Sequence, residues 1–467
     1  MVPQTIDNLG IEPLAGLCTY EEACRPGHTV DHTVSLLKRY NYVKTASHAL
    51  FAAHLAHTPE WEVKCAFSLH LWLEAEHSTW LRKRVTEMRE PPHFLDEAPD
   101  EELKRLFEEL IRASNTIELL VGVYRVVKPA LIRALNQHLA QANPLSDYPT
   151  CRLLRLLLKD EEEMVVWGTQ ATTALTQAPE AAKIAHDWEK HLSWFLDAAG
   201  GIAGDLPNEN NIPSPCPRSD GSPYTMDSVP RRDQRFRDSL NRSAAIDEYY
   251  QDISRDADER MYALLYKRLR EMDVPEWMGP ILFKTQGKPW EYYQDLSRQL
   301  WDEARHAMMG EVGLYAKGVP FYRYPLDITS SLSLNKSYEP LEAHIILWGI
   351  EQNLMPKETG KRWEWEIAFA AGDELVTRFQ DYDWADEVLH AQIGRKWLIP
   401  ELGSRHALLS AWERLRERWD QSREALFALS KQDEWWPEFL AEVRYHHTSK
   451  VPGKSEREHN DYAREGE

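Results

Sequence analysis

Cysteine is scarce in this chain. Its five cysteines among 467 residues, Cys18, Cys24, Cys65, Cys151 and Cys216, are scattered and form no Cys-x-x-Cys pair. That pattern argues against a disulfide framework and against a thiolate zinc site. Long apolar runs are missing too: no stretch approaches the roughly 20 residues that a membrane helix needs. The start, MVPQTIDNLGIEP, has no basic segment followed by an apolar one, so no secretory signal is read and a cytoplasmic protein is expected. Positive charge is in deficit, with 55 Lys and Arg against 75 Asp and Glu and a formal net charge of −20. Such a surface repels phosphate backbones, and nucleic acid is not an expected partner. The best basic cluster, Arg231, Arg232, Arg235 and Arg237, sits in a loop-like stretch. No glycine-rich phosphate loop follows a strand, and no flavin or nicotinamide fingerprint is present. Electrons for any redox chemistry would come from an external donor or from the substrate.

What is abundant is helical pattern. Apolar residues recur at three- and four-residue spacing between Glu, Lys, Arg and Ala, and strand signals are sparse. An all-α fold follows. Residues 200–243 are dense in Gly, Pro, Asn, Ser and Asp, which break helices, and they read as a linker. The expected division is a helical domain over 1–199, the linker 200–243, a second helical domain over 244–430, and an extension with a disordered tail over 431–467. Four main helices are expected in the second domain. They cover about 244–273 (stopping before Pro275), 289–317, 338–355 and 373–399 (stopping before Pro400).

Two segments in that domain carry chemistry: Asp302-Glu303-Ala304-Arg305-His306 and Asp386-Glu387-Val388-Leu389-His390. Residues i and i+3 share a helix face, so Glu-x-x-His sets a carboxylate beside an imidazole, ready for one metal ion. A lone Glu-x-x-His arises by chance in a chain with 18 histidines. Two of them on different helices, joined by a glutamate from each of two others, make a di-metal pattern. Glu351 lies in an apolar stripe with His344, Leu347, Trp348, Leu354 and Met355, where a carboxylate is costly unless paired or metal-bound. Glu259 lies in line with Tyr262, Ala263 and Tyr266. The expected metal ligands are therefore Glu259, Glu303, His306, Glu351, Glu387 and His390. Asp302 and Asp386 are expected to accept from the imidazole N–H groups and so orient them. Ala307, Gly310, Ala391 and Gly394 are expected to leave room for metals or substrate. Such a donor set suits two Fe ions, with Mn/Fe or Mn2 as variants, better than zinc. For Tyr262, Tyr266, Trp348 and Trp384 an ordinary core role is preferred to electron relay.

The DEARH and DEVLHAQIGRKW segments resemble the ferritin-like di-iron carboxylate superfamily, which includes rubrerythrins and bacterial di-iron monooxygenases. They are most similar to an uncharacterised ferritin-like family with an EARH helix, a glutamate near the end of helix three, and a Gly-Asp that opens a last helix bearing DE-x-x-H-x-x-x-G-x-x-W. Here those features are Glu303 to His306, Glu351, Gly372-Asp373, and Asp386 to Trp397. The resemblance covers about 250–400 and implies a ferritin-like four-helix bundle. It places the helix-one ligand at Glu259, about fifteen residues before Val274-Pro275. Glu342 is a rival to Glu351 on the opposite helix face. The N-terminal half reads as a degenerate copy, so the whole is expected to be a tandem of ferritin-like bundles. In that copy Glu74-Ala75-Glu76-His77 mimics one motif and Asp160 to Met164 with Gly168 mimics the other, Met164 standing where histidine is expected. The remaining ligand positions fall near Val43 and Val121. Glu74, His77 and Glu161 remain for at most one ion.

The resemblance implies an O2-dependent di-iron oxidoreductase, an oxidase or oxygenase acting on a small organic substrate. It is expected to work with an external electron donor and, by analogy, as a homodimer. Two other readings stay open. One is an iron-handling or oxidative-stress role, although the Cys-x-x-Cys module usual in rubrerythrins is absent. The other is a helical scaffold with an empty site. Fold alone does not decide among them.

Overall fold

The computed structural model describes residues 8–89, 95–207, 214–242 and 245–449. It is all-helical, with no strand among the described residues. The tail after Val451, expected to be disordered, lies outside the described residues. The chain forms two compact units, each assembled from three segments. One unit comprises Met1–His54, Leu69–Asp227 and Lys288–Ser297; the other comprises Leu55–Ser68, Ser228–Gly287 and Arg298–Glu467. The division is therefore more interleaved than a single break at 200–243. The described part of that stretch carries no helix.

The principal helices of the first unit are α1 (Val30–His54), α2 (Trp61–Glu87, from Leu69 onward), α3 (Lys128–Gln141) and α4 (Tyr148–Leu175). Those that build the second unit are α5 (Ala257–Arg270), α6 (Asp273–Lys284), α7 (Trp290–Ala316, from Arg298 onward), α8 (Pro340–Asn353), α9 (Lys361–Ala370), α10 (Glu374–Leu402), α11 (Arg405–Phe427) and α12 (Trp436–Ser449).

The expected single helix over 244–273 is broken. Ala245–Gln251 ends, and Asp256 caps a fresh start by accepting the amide of Glu259 at 2.7 Å. Pro275 does not stop the chain from being helical. It falls in the first turn of α6, where a missing N–H costs little. Pro400 likewise lies inside the last turn of α10, which ends at Gly403 with φ +82°. The segment after 430 is more than an extension. Trp435, Trp436, Phe439, Leu440 and Val443 are buried with Tyr266 and Tyr324 in the second unit's core.

Helix α10 is the spine of the region that carries the Glu-x-x-His motifs, packed by α8, α9 and α11. Asp373 caps it through the amide of Val376 at 3.0 Å. The small residues beside the motifs serve this packing rather than opening space. A Cβ on Gly394 would lie 2.4 Å from the Trp348 ring of α8. One on Gly310 would lie 2.3 Å from the Leu269 backbone nitrogen of α5. Ala307 and Ala391 are fully buried.

Candidate metal centre

Helices α7, α8 and α10 bring Glu303, Glu351, Glu387 and His390 together, all buried, with ligating atoms within 4.8 Å of one another. His390 Nδ1 faces Glu303 Oε1 at 3.2 Å, Glu387 Oε2 at 3.4 Å and Glu351 Oε1 at 3.9 Å. A second group adjoins it, made of Glu271, His306 and Asp383. His306 Nδ1 faces Asp383 Oδ1 at 3.3 Å and Glu271 Oε2 at 3.5 Å. Glu303 spans the two groups, because its other oxygen lies 3.9 Å from His306 Nδ1. The two imidazole rings are 6.0 Å apart.

The far nitrogens of both imidazoles point at the paired aspartates, and they do so crosswise. His306 Nε2 lies 3.1 Å from Asp386, and His390 Nε2 lies 3.4 Å from Asp302. Each aspartate thus orients the histidine of the other helix. Arg305 bonds both, to Asp302 and to Asp386 Oδ2 at 2.7 Å, and Arg298 Nε donates to Asp302 at 2.9 Å. This outer ring holds the near nitrogens toward the interior.

Of the six ligands expected from sequence, five lie in these two groups. Glu259 does not. It is tied to Arg255, to Trp436 Nε1 at 3.2 Å and to Arg444 at 3.6 Å. The restarted helix puts it there, and Glu271, twelve residues on, occupies the place beside His306. Glu342, the rival on α8, forms a capping box with Glu339 and pairs with Arg418 at 2.9 Å.

Sequence reasoning missed Glu271, Asp383 and two buried cations. Lys361, the first residue of α9, is 0 % exposed; its Nζ lies 2.8 Å from Glu387, 2.9 Å from Asp383 and 3.7 Å from Glu271. Arg268 pairs with Asp383 and with Glu271 at 2.8 Å. Glu364 is held by Lys267 and Arg268. Asp383 carried a readable signal: it sits four residues before Glu387 and seven before His390, on the same helix face. Lys361 carried none, since a lysine opening an amphipathic segment reads as solvated.

Charge follows geometry. Burial raises the Glu351 carboxyl well above the usual range, and the neighbouring Glu387 and Glu303 charges add to this. Burial opposes ionisation of Glu387, but Lys361 and His390 outweigh it and hold that carboxyl well below normal. Burial raises Glu271 to about 7 against the pull of Arg268 and Lys361. Desolvation would lower His306, yet Asp383, Asp386, Glu303 and Glu271 lift it to about 10. The same competition lifts His390 well above its ordinary value. Without metal, both imidazoles therefore carry a proton on a mass of carboxylate.

The donors fit metal ions on their own chemistry. Four buried atoms, Nδ1 of His306 and His390 and Oε2 of Glu271 and Glu387, make no well-formed hydrogen bond and meet one another only as ion pairs at 3.5 and 3.4 Å. Carboxylates and imidazoles buried this closely are costly unless a cation balances them. The first group is rich in carboxylate and suits Fe or Mn. The second fits as well, but ions in either group share carboxylates with buried cations: Glu387 with Lys361 in the first, Asp383 and Glu271 with Lys361 and Arg268 in the second.

The first unit answers its own carboxylates differently. Lys44 of α1 and Lys128 of α3 lie between Glu74 of α2 and Glu161 of α4. Lys44 Nζ is 3.1 Å from Glu74, and Lys128 Nζ is 3.0 Å from Glu161. His77 Nε2 pairs with Asp160 at 2.9 Å. Two ammonium groups supply the positive charge, so the single ion considered for Glu74, His77 and Glu161 has cations already in its place.

Comparison with known proteins gave no match to any family model, any curated protein or any solved structure. The ferritin-like resemblance rests on the quoted motifs.

Proposed function

We propose that this chain is an O2-dependent oxidoreductase built on a pair of iron ions, with the two adjoining donor groups as their seats. The observation that carries the reading is the convergence of two buried donor groups, built on two helix-borne Glu-x-x-His motifs and joined by Glu303. Bound ferrous iron would supply activation of O2. For a monooxygenation, one oxygen atom enters the substrate and the other leaves as water. Two electrons and two protons then come from an external reductant, since the chain has no flavin or nicotinamide fingerprint.

The residues have separable tasks. Glu303 holds both groups in register. Asp302 and Asp386 fix the imidazoles so that Nδ1 faces inward. Gln299 Nε2 donates to Glu351 Oε1 at 3.2 Å, which positions that carboxylate. Burial keeps bulk water from the reacting centre. A cavity of about 280 Å³ reaches Glu271, Glu303, Glu351 and Glu387, so a small molecule can approach the ligands.

Metal analysis after anaerobic Fe(II) loading, followed by O2 exposure with optical monitoring, tests the reading. About two ions per chain, lost in the Glu303→Ala/His390→Ala variant, with an O2-dependent absorbance change, is the expected result. No stoichiometric metal after loading would leave the scaffold reading in front.

A further inference from the structure

The cavity that reaches the candidate metal ligands is also lined by groups of a different chemistry. They include Trp277, Trp419 and Arg423, beside the apolar Leu347, Ile350 and Leu354. Trp277 and Trp419 are 3 % and 7 % exposed, and the Nε1 of each is buried without a hydrogen-bond partner. The Nε of Arg423 is buried and unpartnered as well. These donors are neighbours: the two indoles meet edge to face at 6.2 Å, and the guanidinium lies 4.8 Å from the Trp419 ring. No carboxylate pairs with Arg423 among the described residues.

Three carboxylates of the same wall are at least partly engaged. Asp247 receives Arg270 at 2.9 Å, Asp273 receives Ser331, and Glu271 receives Arg268 at 2.8 Å. At Trp277, Trp419 and Arg423 three donors, one of them charged, have no partner, while the free oxygens of Glu271 and Glu387 belong to the two candidate metal groups. Unsatisfied buried donors favour a ligand that brings acceptor oxygens, and an arginine fork matches a carboxylate. We propose that the substrate of this cavity is a small organic acid. Its carboxylate docks on Arg423 and the two indole N–H groups. Its apolar body lies along Leu347, Ile350 and Leu354 and points the reacting carbon at Glu303 and Glu351. The proposal rests on the metal reading for its chemistry but not for its binding. The cavity volume of about 280 Å³ suits a small molecule, and Leu347, Ile350 and Leu354 offer apolar surface to a hydrocarbon body.

The test uses the full chain and four probes: hexanoate and phenylacetate, and their neutral amides, followed by tryptophan fluorescence and titration calorimetry. The acids should bind about tenfold or more tightly than the amides, the difference a charge-assisted pair implies. Arg423→Gln should erase that preference, and Arg423→Lys should keep part of it, which separates lost recognition from lost folding. If acids and amides bind alike, if neither binds, or if Arg423→Gln leaves the preference intact, the proposal is overturned. Iron content measured on the same samples separates the two ideas. An acid preference without stoichiometric metal sinks the metal reading alone, and stoichiometric metal without an acid preference sinks this one alone.

Discussion

Glu259 and Glu271 set the first contrast at the scale of single residues. Glu259 lies in the first turn of α5 and Glu271 just past its last, but only Glu271 faces His306. Glu271→Gln should lower the iron bound per chain from about two toward one, whereas Glu259→Gln should leave it unchanged. Metal analysis on the two variants checks this, and the reverse order would restore Glu259 as the ligand. Lys361 yields the second prediction. Removing a buried ammonium from Glu387 and Asp383 leaves uncompensated charge, which costs about 3–5 kcal/mol. Lys361→Met should therefore lower the melting temperature of the metal-free protein. Fe(II) or Mn(II) should then raise it by more than in the parent, because a metal cation replaces the lost one. An equal metal-induced shift in both proteins would show that Lys361 does not compete with the second ion. What was legible at this scale was the Glu-x-x-His pair, because i and i+3 periodicity is local. Glu271 was hidden because its place depends on a helix break and restart, and Lys361 because burial of a cation depends on carboxylates from other helices.

Whole helices were easier to read than their ends. The expected helix over 289–317 appears as Trp290–Ala316, and 338–355 as Pro340–Asn353. Boundaries failed where proline was taken as a full stop: Pro275 and Pro400 both sit inside helical turns. The break before α5 was signalled only by Asp256, an aspartate in an acidic run that turns out to be an N-cap. The glycines after each histidine were noticed for their smallness but assigned to ligand space, when what they permit is close helix approach. Gly310 offers the test. A Cβ there would meet backbone atoms of Leu265 and Leu269 at 2.8 and 2.3 Å, and backbone cannot swing aside as a side-chain tip can. Gly310→Ala should destabilise the protein by about 1–3 kcal/mol or more. Because α7 carries Glu303 and His306, iron affinity should fall with it. Chemical denaturation and metal titration on the variant measure both effects, and unchanged stability would mean that α5 and α7 have slack between them.

Across the whole molecule the two units place histidine in opposite electrostatic settings, and pH should separate them. In the first unit burial alone pushes His48 down to about 4. Burial, then the Lys128 charge, pushes His70 down to about 3. Burial, then His28, pushes His138 to about 4. Each is neutral in the folded protein and protonated when unfolded below about pH 6.5. The unfolded state then binds more protons, so stability rises with pH across this window. It is complete above about pH 6.5 and is lost as pH falls toward 4, on the order of 1 kcal/mol per pH unit for each imidazole. In the second unit, metal-free His306 sits at about 10, so its contribution has the opposite sign. It is complete below about pH 6.5 and disappears as pH rises through 10. Iron displaces that proton, so a loaded sample should lose this alkaline decline and keep the acid one. His138→Leu isolates the first effect, because neither ring nitrogen of His138 has a hydrogen-bond partner to lose. Melts recorded from pH 7 to pH 5 should show a shallower decline in that variant, by about one proton's worth of slope. A decline identical to the parent's would mean that His138 is already protonated in the folded chain.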